Sequence, residues 1–351
     1  MKLILFLALI LLLAGCSEPV PIEELDAFEF SITERDYYLG IGYWPTYKTN
    51  EIINNDFEQF SQGAEVAYVQ IADNMLDETK DSASLEVKKD WLKKAKENNK
   101  KIYIALECIE GSRDKIKSLP GKEVESFADV EFREAFKAKA IEWAQTYKPE
   151  YLNLCVEINM LPDIDSESEN FVSLYNEIYS EVKKISPETK MFVSYQFEFL
   201  TGDVISRTKK SQWDLIEKLG EKQDLIGISS YPRVMQTPYN PHELSDDHFL
   251  ELNKYATKPI FFAETGAYSG GSIFSNSSET IQAKYIVRLT ELIEPLDVEA
   301  VMWISLKALP DIPELKAFIP DWFFSLGLQG SKNEEKLSWV TWKKLKSLPK
   351  N

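Results

Sequence analysis

The chain has 351 residues, 44% of them apolar, and a formal net charge of −17. That length suits one large domain, and the apolar share supplies a sizeable core. The acidic excess excludes a phosphate-backbone ligand as the main partner, so no nucleic acid is expected, and a neutral substrate fits better than an anionic one.

Residues 1–15 read as a segment outside the fold. Lys2 gives a positive start, and residues 3–13 form an apolar run too short to span a bilayer as a mature helix. Leu13-Ala14-Gly15-Cys16 resembles the bacterial lipoprotein cleavage box. That resemblance implies a signal peptide over 1–15, acylation of Cys16, and an exported domain tied to a membrane, at the cell surface or facing the periplasm. Residues 16–36 are acidic and contain Pro19 and Pro21; they read as the lipidated cysteine and a tether. Residues 37–351 read as one domain, expected to be a monomer.

From Tyr37 onward, strand-like and helix-like runs alternate. The strands fall at 37–42, 65–71, 101–107, 151–157, 191–196, 225–230, 259–264 and 300–306. Helices precede all but the first, at 51–62, around 85–98, over Phe132 to Tyr147, at 169–185, 213–219 and 248–255, and over Ile281 to Ile293; a last one spans about 337–348. The helix before the fourth strand spaces Phe132, Phe136, Ala140, Trp143 and Tyr147 by three and four, with Asp129 as its N-cap. Alternation of this kind argues for a parallel sheet with helices outside. Eight repeats predict an α/β fold of the (β/α)8 TIM-barrel type, with an open doubly wound sheet as the alternative. Cys108 and Cys155 stand near the ends of the third and fourth strands. A bridge is conceivable if those strands are neighbours, but free buried thiols are the expectation.

In a barrel, reactive groups sit at the carboxyl ends of the strands. Those ends carry Tyr43, Trp44 and Tyr47, then Glu107, then Glu157 and Asn159. Gln196 and Glu198, Tyr231, Glu264 and Trp303 complete the set. Carboxylates, amides and aromatic rings suit a sugar: rings stack on its faces and polar groups bind its hydroxyls. His242 and His248 are the only histidines, and the position where a zinc-protease motif would carry its second histidine after His242-Glu243 is Asp246. No metal is therefore expected, and His-based triads are excluded with it. Gly40-Ile-Gly42 lacks a third glycine at dinucleotide spacing, so no cofactor is expected. Two acids at the ends of the fourth and seventh strands, Glu157 and Glu264, suit glycoside cleavage by a retaining mechanism. Structural ion pairing is the competing reading for both. Glu107 reads as structural.

The acid pair resembles the pattern of the clan A retaining (β/α)8 glycosidases. Within that clan, Leu152-Asn-Leu-Cys-Val-Glu-Ile-Asn159, Ile226-Gly-Ile-Ser-Ser-Tyr-Pro232 and Phe262-Ala-Glu-Thr-Gly-Ala-Tyr268 look most like the endo-β-1,4-galactanase family. The resemblance implies Glu157 as acid/base and Glu264 as nucleophile. It implies a hydrogen bond from Tyr231 to the nucleophile and Trp303 as the floor of the sugar site. Tyr43, Trp44, Asn159, Gln196 and Glu198 are the further candidates for substrate contact. The clan usually places Asn before the acid/base, where this chain has Val156, and Arg near the end of the second strand, where it has none. A carbohydrate-binding lipoprotein without turnover is the alternative that these departures motivate.

Overall fold

The structure, a computed structural model, describes residues 28–44, 50–72, 76–77, 82–203, 210–234, 239–270, 277–311 and 320–351. The expected signal segment, Cys16, most of the expected tether, and Tyr47 lie outside the described residues.

The elements alternate as the sequence pattern implies. In chain order they are β1 (Tyr38–Gly42), α1 (Asn50–Gly63), β2 (Val66–Ile71), α2 (Ser82–Glu97), β3 (Lys101–Leu106) and α3 (Val130–Tyr147). Then come β4 (Tyr151–Asn153), α4 (Ile164–Ile185), β5 (Lys190–Phe192), β6 (Ser194–Gln196), α5 (Phe197–Thr201) and α6 (Asp214–Leu219). The chain continues through β7 (Ile226–Ser230), α7 (Leu252–Tyr255), β8 (Ile260–Thr265), α8 (Glu279–Ile293), β9 (Val298–Trp303) and α9 (Leu337–Ser347).

All strand pairs are parallel, in the order β5-β4-β3-β2-β1-β9-β8-β7-β6. Only Val193 separates β5 from β6, and its carbonyl accepts from Gly227 N at 3.2 Å. One run thus pairs β4 through its first half and β7 through its second. That closes the ring with eight staves, the TIM-barrel arrangement, and not the open sheet. Gly227 is required at the seam, since a Cβ there would stand 2.6 Å from the Val193 carbonyl oxygen.

Strands buried on both faces read as continuous apolar runs, and every residue of β2 and β8 is buried. The barrel interior is aromatic. Tyr68 stacks on Tyr103 at 4.5 Å, and Phe261 lies 4.9 Å from Tyr103, 4.8 Å from Tyr151 and 4.9 Å from Phe192. Outside, α3 buries Phe132, Phe136, Ala140, Trp143 and Ala144, and its Asp129 cap accepts from Phe132 N at 3.0 Å. The folded body also reaches back into the expected tether. Phe30 and Ile32 pack against the core, and Arg35 pairs with Glu65 at 2.8 Å, so that stretch belongs to the domain.

Two elements differ from the sequence pattern. Regular pairing in the fourth stave stops at Asn153, short of Glu157, whose own backbone is left-handed. In β8, the register slips against β7 after Ile228 and against β9 between Phe262 and Thr265. Irregularities of this kind re-aim side chains at the rims of barrels, and Glu264 sits inside this one.

Candidate active site

Glu264 ends β8 and is 5% exposed. Tyr68, on β2, donates its hydroxyl to Oε1 at 2.6 Å, and Tyr231, following β7, donates to Oε2 at 2.9 Å. Burial pushes the Glu264 carboxyl up to about 7, and the nearby charge of Glu157 adds to the rise. The two tyrosine hydroxyls and Arg113 act the other way, favouring the ionised form.

Glu157 follows β4 and is 8% exposed. Its backbone holds φ 53 and ψ 43, a left-handed geometry that costs a non-glycine residue on the order of 1–3 kcal/mol. Its amide donates to Ser194 Oγ at 3.1 Å, and that oxygen also accepts from Asn153 Nδ2 at 2.9 Å. The carboxylate accepts from Arg113 Nε at 3.1 Å. Burial raises the Glu157 pKa, Arg113 opposes the rise, and Glu107 reinforces it.

Cys108 and Cys155 form a disulfide, with their Cα atoms 5.1 Å apart. This corrects the expectation of free thiols. β3 and β4 are paired neighbours that end side by side, so the two cysteines just beyond them fall within bonding reach. The bridge ties the loop after Glu107 to the segment leading into Glu157. Glu107 itself is held by Gln70 Nε2 at 2.5 Å, Arg113 Nη1 at 3.0 Å and Lys117 at 3.5 Å, as a structural acid would be.

The other candidates divide by burial and partner. Gln196 accepts from Phe199 N at 2.9 Å, capping α5, while its amide donates to Glu198. Glu198 also accepts from Ser230 Oγ at 2.8 Å. Burial pushes its carboxyl up to about 7, Ser230 and Gln196 oppose this, and Glu157 adds to it. Glu198 therefore belongs to the same electrostatic cluster as Glu157 and Glu264. Asn159 is buried and held on both sides of its amide. Its Oδ1 accepts from Gln196 N at 2.7 Å, and its Nδ2 donates to Gln196 O at 3.0 Å and Gln212 Oε1 at 3.2 Å. It clamps the ends of two staves together.

Two rings leave the sugar-facing set. Tyr43 stacks flat on Trp91 at 3.7 Å, within the core beneath α1 and α2. Trp303 is 0% exposed, donates Nε1 to Leu326 O at 2.8 Å and packs edge-on against Trp342 of α9. A ring enclosed by its own helices cannot floor an open site. Trp44 is half-buried, donates to Ile304 O at 3.0 Å and meets Phe323 edge-on at 5.6 Å. Phe323 touches Trp322 at 5.5 Å, and Trp322 lies 6.0 Å from the Tyr231 ring. A row of rings thus runs from Trp44 to Tyr231 and ends on Glu264. Lys336 secures the segment after Trp322, donating to Ser269 Oγ and Gly327 O, each at 2.8 Å. Burial pushes its pKa down to about 8.

Sequence reasoning missed Tyr68, Arg113 and Trp322. Tyr68 had a signal: it shares a face with Gln70 by alternation on β2, the strand searched for an arginine. Trp322 stands beside Phe323 and Phe324, an aromatic cluster in the segment after the last strand. Arg113 had none, since it sits in an irregular loop.

Neither a protein-family profile nor a curated protein sequence matches the chain. Solved structures do resemble it. An exo-β-1,4-mannosidase from an Opitutaceae bacterium superposes with a TM-score of 0.66 at 14% identity, over 91% of this chain and 61% of the other. The chain therefore spans under two thirds of that mannosidase. A GH5_18 protein from Bifidobacterium longum subsp. longum, in complex with Manβ1-4GlcNAc, gives 0.63 at 14% identity, over 90% and 80% of the two chains. Another GH5_18 structure, from Streptomyces cattleya in complex with GlcNAc, gives 0.63 at 12%, over 89% and 80%. The fold is that of the barrel glycoside hydrolases.

Proposed function

We propose that the protein is a retaining glycoside hydrolase acting on a neutral, β-linked sugar, with Glu157 as acid/base and Glu264 as nucleophile. The observation that carries this reading is the environment of Glu264. A carboxylate at a stave's carboxyl end, gripped by two tyrosine hydroxyls that favour its ionised form against burial and a second carboxylate, is held in one orientation.

In the first step, Glu157 gives its proton to the glycosidic oxygen while a Glu264 oxygen bonds to the anomeric carbon and the C–O bond breaks. In the second, the Glu157 carboxylate takes a proton from water, the resulting hydroxyl adds to that carbon, and the Glu264 ester is released. Trp322, and Trp44 farther along the row, offer faces for the sugar. Glu198 is the candidate acceptor for a sugar hydroxyl.

For the substrate, the galactanase-like segments and the β-1,4-mannosidase among the similar structures share one linkage. A β-1,4-linked neutral glycan is the class we favour. For location, the Cys16 box proposes a lipid-anchored, exported protein. The disulfide fits that reading, since such bonds persist in oxidising compartments. A carbohydrate-binding role without turnover is the second reading, favoured by Val156.

The test is hydrolysis of a panel of β-1,4-linked manno-, gluco- and galacto-oligosaccharides by protein beginning at Ser17. Glu157→Gln and Glu264→Gln should each abolish turnover while leaving the fold intact. Binding without cleavage in the wild type would move the protein to the second reading.

A further inference from the structure

Two non-glycine residues with left-handed backbone meet at one contact: Arg113, at φ 63, donates to Glu157, at φ 53, over 3.1 Å. The loop carrying Arg113 is built to hold it. Cys108 anchors the loop to β4 through the disulfide, and Lys117 N donates back to Cys108 O at 2.9 Å. Glu110 N donates to Lys115 O at 2.8 Å, Arg113 N to Glu110 O at 2.8 Å, and Ser118 N to Glu110 Oε1 at 2.9 Å. The guanidinium is partly buried and forked, with Nε on Glu157 and Nη1 on Glu107 at 3.0 Å.

Resting on the hydrolase reading, we propose that Arg113 is the positioning residue of Glu157. The cross-linked loop holds its guanidinium against the carboxylate, so that Glu157 is aimed at the glycosidic oxygen and returns to its ionised form for the second half-reaction.

The surroundings explain why such a residue is needed. Glu157 faces Glu107 at the end of β3, Glu198 after β6, Glu264 on β8, and the hydroxyls of Tyr103 and Tyr231. Among these described groups, Arg113 brings the one positive charge. Without it, three carboxylates and burial would all favour the proton on Glu157. An acid/base that kept its proton would donate in the first step and fail as a base in the second. Arginine suits the task because its planar fork bonds two carboxylates in a fixed geometry, which a lysine cannot reproduce.

The test reads the carboxyl directly. Carbon-13-labelled glutamate carboxyls are titrated by NMR in the wild type, in Arg113→Met and in Arg113→Lys, with the Glu157 resonance assigned by its loss in Glu157→Gln. In Arg113→Met, the Glu157 midpoint is expected to rise by about one pH unit or more. With an activated aryl β-glycoside, the second step should slow by roughly tenfold or more, leaving a burst of aryl alcohol and accumulated glycosyl-enzyme. Arg113→Lys, which keeps the charge, should shift the midpoint less and decides the matter if the methionine variant does not fold. An unchanged Glu157 midpoint in a folded variant overturns the assignment, as does a pH–rate profile scaled down without movement of its limbs. A wild-type protein that cleaves no glycoside overturns the hydrolase reading alone, and the titration still decides the Arg113 contact.

Discussion

Tyr68 on β2 donates its hydroxyl to Glu264 on β8 over 2.6 Å, with β1 and β9 standing between the two strands. The bond crosses the top of an otherwise aromatic interior. The β2 stave carries no arginine, so the donor to Glu264 from it is a neutral hydroxyl. A neutral donor stabilises a carboxylate less than a guanidinium does, which agrees with a Glu264 pKa pushed well up. Replacing Tyr68 with Phe removes one of two donors and leaves the ring stack intact. The expected result is a drop in kcat/KM of roughly 10- to 100-fold, about 1.4–2.7 kcal/mol. The acid limb of the pH profile should move to higher pH. A Tyr68→Phe enzyme with wild-type limbs would separate this hydroxyl from the nucleophile.

The raised Glu264 pKa also carries a stability consequence. The folded protein holds this proton more tightly than the unfolded chain, so the contribution is fully present below the unfolded value. It is lost as pH rises through about 7. Glu264→Gln removes the group that ionises. Its melting temperature should exceed that of the wild type at pH 8 and approach it at pH 5, as thermal denaturation at the two values would read. Equal offsets at both would mean that the carboxyl is not the titrating group. Buried catalytic charges commonly limit stability in this way.

Much of the architecture was legible because its signals are local. The apolar runs of β2 and β8 and the three-to-four spacing in α3 predict their own elements. Glu157 and Glu264 could be singled out as candidates because a barrel gathers the last residues of its staves at one mouth. The ring assignments failed for a physical reason. Successive strand residues face opposite sides, and nothing within β9 says which side Trp303 takes; α9, which covers it, comes some thirty residues later. The partners that hold Asn159, Gln196 and Gln212, were not legible either, since the packing of separate units sets them. Arg113 was invisible because its role depends on the bridge between Cys108 and Cys155.

Trp322 gives a prediction about binding. It is half-buried and packs 6.0 Å from Tyr231. A half-buried indole beside Tyr231 suits stacking on a sugar. Trp322→Ala should raise KM by roughly tenfold, about 1.4 kcal/mol, with kcat little changed, the pattern of uniform binding loss. Steady-state kinetics on the best oligosaccharide would decide it. A fall in kcat at constant KM would make Trp322 a support for Tyr231 instead. Trp303→Phe, by contrast, should act on stability, since Trp303 is enclosed and its Nε1 bonds a backbone carbonyl.

The disulfide joins stability to activity at one place. It spans 47 residues of sequence and includes α3 within its loop. A closed loop of that size stabilises by about 2–4 kcal/mol, chiefly by restricting the unfolded chain. Its two ends also flank Glu107 and Glu157, so opening it frees the segment that aims the acid/base as well as the loop that carries Arg113. Cys108→Ser with Cys155→Ser should therefore lower the melting temperature. At a temperature where the variant remains fully folded, kcat should still fall, by about fivefold or more on a scale where 1 kcal/mol is fivefold. Treatment of the wild type with a thiol reductant should reproduce the loss, and reoxidation should restore it. A double-serine variant that melts earlier but turns over at the wild-type rate when folded would confine the bridge to stability and detach it from the geometry of Glu157.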